Sequence, residues 1–193
     1  MKEIDEADLW AMINHTIAAG DGEQLEAAGY QLGTLSIERG HFPERSFDSL
    51  LDLMNRQDFL DLEGSYHLLN VLDFQWEDLS ERQKERLLPS LESSYARFKD
   101  HMSWVMISVL LGEQYKNEEA FQALRRLRSV EDEVQRSWVS HGLEHIVDSS
   151  GDDSLSRKAY AELVQMRNDP SEYVRHGVEG FLWELANTGY KYD

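Results

Sequence analysis

Apolar residues recur at intervals of three and four along nearly the whole chain, and short polar stretches interrupt them. That period is the signature of amphipathic helices, whose buried stripe returns every 3.6 residues. It predicts ten helices, at about 5–19, 22–38, 44–55, 57–73, 79–96, 98–112, 117–129, 131–148, 153–168 and 171–187. The breaks between them include Gly20-Asp21-Gly22, Gly40 to Pro43, Asp148 to Asp153 and Asn168-Asp169-Pro170. Cap chemistry marks several ends. Asp169 before Pro170, with Glu172 following, reads as a helix start, and so does Ser80 with Gln83. Gly189 reads as the stop of the last helix. Strand signals are nearly absent: no Asn-Gly or Asp-Gly turn separates alternating segments.

Short links between many helices fit either a bundle or a stack of helical pairs, and internal repetition separates the two. Small residues at Gly29, Gly64, Ser103, Gly142 and Gly177 follow one another at 35, 39, 39 and 35 residues. Four positions after them stand Gly33, Leu68, Ile107, Ile146 and Phe181. A glycine inside a helix costs about 1 kcal/mol relative to alanine, so a recurrent one points to close helix approach. The expected fold is all-α: one α-solenoid domain over 1–193, built from about five antiparallel helix pairs. Trp10 and Trp183 are expected in its end layers.

The run Asp169-Pro170-Ser171-Glu172-Tyr173-Val174-Arg175 resembles the turn and second-helix start of a HEAT repeat. In that family an Asp in the turn and a Val-Arg pair form a ladder between neighbouring repeats. The preceding pair keeps Val134 but has Gln135 in the place of Arg and Ser129 in the place of Asp. Pro89 within the 79–96 helix is similar to the proline that often kinks first helices of such repeats. The resemblance implies a curved binding surface, and by itself no activity.

Charge narrows the functional classes. The 193 residues carry 37 Asp+Glu against 19 Lys+Arg, a formal net charge of −18. A chain so acidic repels phosphates, which argues against nucleic-acid binding, including that of the HEAT-like DNA glycosylases. The 41% hydrophobic content and five tryptophans are enough for a folded core. With no cysteine there is no disulfide or thiolate chemistry. No run approaches the roughly 20 apolar residues of a membrane span, and the acidic N-terminal stretch is unlike a signal peptide, so the cytoplasm is the expected location. The acidity is polarised: residues 1–80 hold 17 acidic and 4 basic side chains.

One string carries candidate metal chemistry. His141-Gly142-Leu143-Glu144-His145 has the HxxEH form, which in inverzincins sets two histidines one helical turn apart beside a glutamate. HEAT-like deoxyhypusine hydroxylase is similar in placing His-Glu dyads on adjacent repeats around iron. Here His176 and Glu179 recur in the following repeat, so a ligand set of His141, Glu144, His145 and His176 is the alternative to a metal-free, solvent-facing face. No nucleophile elbow, phosphate loop or dinucleotide fingerprint is present. The favoured reading is a non-enzyme with no cofactor. It binds a basic protein partner through Glu23, Asp58, Glu63, Tyr66, His67, Asn70, Glu144, Asp148, Glu179 and Trp183. By general type the chain resembles the immunity proteins of bacterial toxin systems, with a nuclease-like toxin as partner; a general scaffold or adaptor is the first alternative, and a metal-dependent HEAT-like hydrolase or oxygenase using the segment from His141 to His145 is the second.

Overall fold

The computed structural model describes residues 5–190 and is helical, with no strand among them. Its helices gather into two compact units that meet in sequence between Arg97 and Phe98. The N-terminal unit contains α1 (Glu6–Ala19), α2 (Glu23–Arg39), α3 (Glu44–Leu53), three short helices α4 (Gln57–Leu60), α5 (Ser65–Leu69) and α6 (Val71–Phe74), and α7 (Glu81–Ser94). Helix α2 packs on α1, α5 and α6, and α3 packs on α7. The apolar stripe of α1 (Leu9, Trp10, Ile13, Ile17) and that of α2 (Leu25, Ala28, Leu32, Leu35) are buried, with Phe47, Phe59 and Leu68. Polar chains tie these layers together. Trp10 Nε1 donates to Ser46 Oγ at 2.8 Å, and Ser46 donates to Glu6 Oε1 at 2.7 Å. Burial alone would raise the Glu6 carboxyl, but the Ser46 hydroxyl and Arg39 outweigh it and hold it below the usual range.

The C-terminal unit contains α8 (Asp100–Ser103), a π-helical run from Trp104 to Tyr115, α9 (Glu118–Leu127), α10 (Glu133–Ser149), α11 (Asp153–Gln165) and α12 (Glu172–Thr188). Helix α10 is its centre and packs on the π run, α9, α11 and α12. Val105 to Gly112 are buried without a break, so this stretch is enclosed on every side, and all but Ser108 of its side chains are apolar. A Cβ on Gly112 would stand 2.5 Å from the carbonyl oxygen of Gly142 on α10. Backbone meets backbone there, and only glycine permits it. Glu162 of α11 is buried, and Arg125 of α9 and Arg128, the residue just past its end, both reach it.

Within this unit one arrangement occurs twice, 39 residues apart. Ala120, Leu124, Val139, Leu143 and Ile146 are buried, and so are Ala159, Leu163, Val178, Leu182 and Leu185. Arg136 Nη1 donates to the carbonyls of Val130 and Glu131 at 2.8 and 2.6 Å. Arg175 Nη1 donates to the equivalent carbonyls of Asp169 and Pro170 at 2.6 and 2.9 Å. The two copies are joined by a salt bridge from Arg136 to the Asp169 carboxylate, at 2.8 and 3.1 Å.

Most predicted helices lie within two residues of their observed bounds, and the Ser80/Gln83 capping box and the Gly189 stop are in place. Five expectations are corrected. First, Arg136, not Gln135, stands in the place of Arg175. The helix expected at 57–73 is three short ones, because Gly64 sits at φ +82, outside helical geometry, with its backbone against Gly22. Asp169 does not cap α12; Ser171 does, and Asp169 turns its carboxylate to Arg136. The 35-residue step to Gly177 misplaces the last repeat by about one turn, since the burial pattern aligns Phe181, not Gly177, with Gly142. Finally, Trp183, expected to pack in an end layer, is 69% exposed, whereas Trp10 is buried.

Candidate functional site

The HxxEH string falls on the middle of α10, which Asp132 caps by accepting from Gln135 N. Offsets of three and four put His141, Glu144 and His145 on one face. One potential ligand atom from each lies within 4.8 Å of the others. His141 Nε2 and His145 Nδ1 are each 4.0 Å from Glu144 Oε2. All three side chains are about one-fifth exposed, so they form a recessed but reachable cluster.

The neighbouring elements orient it. From the π run, Ser108 Oγ lies 2.8 Å from His141 Nδ1. From α12, Phe181 stacks on the His141 ring at 5.0 Å, nearly parallel. The His145 ring is 4.5 Å from that of His141. Trp138, one turn back, completes an aromatic wall with Trp104, and its indole N–H is buried without an acceptor. Ser108 is fully buried, so its hydroxyl positions the imidazole and is not presented to a substrate.

The electrostatics follow from this recess. Burial, and then the neighbouring His145, push His141 down to about 4. Burial also lowers His145, against the pull of Glu113 and Asp148. Burial raises Glu144 to about 7, helped by the negative charges of Asp148 and Glu184. Near neutral pH the cluster is therefore two uncharged imidazoles around a carboxyl that has no Lys or Arg partner among the described residues. His176 is exposed on α12 and is not part of the cluster.

A second feature lies within the N-terminal unit. A groove of about 440 Å³ runs between α2 and the α5–α6 segment. Tyr30, Ile37 and Phe74 line it and are 65%, 69% and 66% exposed. Glu26, His67 and Asn70 supply its polar edge. No family model, curated protein or solved structure matches this chain.

Of the partner-binding residues expected from sequence, His67 and Asn70 line this groove and Tyr66 packs against His67 at 4.0 Å. Glu23 is exposed at the start of α2, one turn before Glu26, and Glu63 is exposed beside Gly64. Asp58 is held by Arg56 at 2.7 Å and Glu179 by Arg167 at 2.9 Å, so neither offers a free charge. Glu144 belongs to the histidine cluster, Asp148 is exposed at the end of α10, and Trp183 is exposed on α12. Sequence reasoning missed Tyr30, Ile37 and Phe74. Tyr30 and Phe74 were signalled as large apolar residues off the buried stripe, although on α6 that stripe is only one turn long; Ile37 continues the buried line of Leu25, Gly29 and Gly33 and gave no such signal.

Proposed function

We propose that the chain is a non-catalytic helical-repeat protein that binds and inhibits a basic protein partner. The observation that carries this reading is the groove, where three large apolar side chains are each about two-thirds exposed. Such a cluster, within an acidic segment, offers packed anchors inside a field that attracts lysine and arginine. The Arg136–Asp169 bridge between two copies of one arrangement supports the HEAT-like part of the reading. Inhibition of an immunity type follows from charge. A nuclease toxin must be basic to hold phosphate, and an acidic inhibitor competes for that surface and meets it quickly.

Site-specific photo-crosslinking from position 30 or 74, in cells expressing the chain, tests this. The expected product is one basic protein whose activity falls in proportion to added chain and whose association slows as salt rises. A general scaffold would give the crosslink without loss of the partner's activity. If position 81, on the exposed start of α7, crosslinks the same protein equally well, the groove is not the binding surface.

A further inference from the structure

The geometry points to a divalent transition-metal site in the C-terminal unit, with His141, Glu144 and His145 as protein ligands. It is independent of the groove, which lies in the other unit.

The donor set is the first ground. Two imidazoles and one carboxylate suit Zn²⁺ and its first-row neighbours, and leave a fourth position open. Position is the second. The three donor atoms lie within 4.8 Å of one another, and bonds of about 2.0–2.1 Å require donors roughly 3.3 Å apart. Side-chain rotation closes that difference, since Glu144 Oε2 already sits between both rings at 4.0 Å. The third ground is support from outside the helix. Ser108 Oγ engages His141 Nδ1 at 2.8 Å, so with Nδ1 as donor the lone pair of Nε2 faces Glu144. Metal-bound histidines are held in this way by a second hydrogen bond. Phe181 fixes the plane of the same ring by stacking at 5.0 Å. A solvent-facing histidine pair needs neither of these supports.

The fourth ground is charge. Glu113, Asp148 and Glu184 add their field to the cluster, and no cationic side chain pairs with Glu144 among the described residues. A bound dication supplies the missing positive charge.

The test uses the full chain, stripped with chelator, titrated with Zn²⁺ by calorimetry and with Co²⁺ by visible absorption. One equivalent should bind with micromolar or tighter affinity, and Co²⁺ should give d–d bands of a low-symmetry site. His145→Ala and Glu144→Gln should each weaken binding by at least about 100-fold. Ser108→Ala, which removes only the orienting hydroxyl, should weaken it by about 10-fold to 100-fold. His176→Ala should leave it unchanged. Circular dichroism of each variant separates loss of ligand from loss of fold. Wild-type affinity weaker than about 100 μM would overturn the proposal. So would retention of tight binding in folded His145→Ala and Glu144→Gln.

Discussion

Arg136 is a cation almost sealed from water, with 10% of its side chain exposed, and its partner Asp169 has 7%. Every nitrogen of the guanidinium finds an oxygen: two face the Asp169 carboxylate and the third reaches two carbonyls. Removing one partner leaves the other charge stranded, so Arg136→Ala should destabilise the chain by about 3–5 kcal/mol in urea unfolding. Burial would raise the Asp169 carboxyl, yet Arg136 and the Ser171 N–H hold it below its ordinary value of 3.8. The stability it adds is therefore complete above that ordinary value. It is lost as pH falls through the lower value of the folded state. In Asp169→Asn this acid-side slope should be missing, as a comparison of urea midpoints between pH 5 and pH 2.5 would show.

Between helices, stability depends on how closely backbones pass. Gly112 meets Gly142 with no room for a methyl group, because the atoms in the way are main chain and cannot turn aside. Gly112→Ala should cost about 1–3 kcal/mol through forced separation of the π run from α10. Gly180→Ala is the control. Nothing lies within 4 Å of its added Cβ, and alanine is the better helix former, so that variant should gain up to about 1 kcal/mol. Thermal unfolding of the pair distinguishes close approach from helix propensity. At the start of α7, Ser80 and Gln83 satisfy each other's backbone N–H groups, and Ser80→Ala should cost about 1 kcal/mol. A π run of 12 residues is the unusual element of the chain. It carries Ser108 to His141, in keeping with the frequent placement of π geometry at functional sites.

For the whole molecule, a net charge of −18 makes self-repulsion a global term. Raising NaCl from low to moderate concentration should therefore raise the midpoint of thermal unfolding, although it weakens the exposed ion pairs such as Arg157–Asp153. Differential scanning fluorimetry across a salt series reads this directly. The groove separates stability from binding at the same scale. Ile37 and Phe74 are already mostly in water, so Ile37→Asp with Phe74→Asp should leave the unfolding midpoint nearly unchanged while abolishing the crosslinking that the proposed basic partner would give.

Much of the helix map was legible because its causes are local. Period, caps and terminal glycines act within one or two turns, and they placed α1, α2, α7 and α9 to α12 closely. The candidate metal ligands were legible for the same reason, since offsets of three and four gather His141, Glu144 and His145 on one helix face. Where a local signal met a distant one, the distant one prevailed. Gly64 broke a predicted helix because its chain lies against Gly22, and Asp169 left the capping role to pair with Arg136. No local pattern brings Ser108 or Phe181 to His141, or Phe74 of α6 beside Tyr30 of α2. Those meetings depend on which faces pack and at what depth, and packing joins residues that the chain holds far apart.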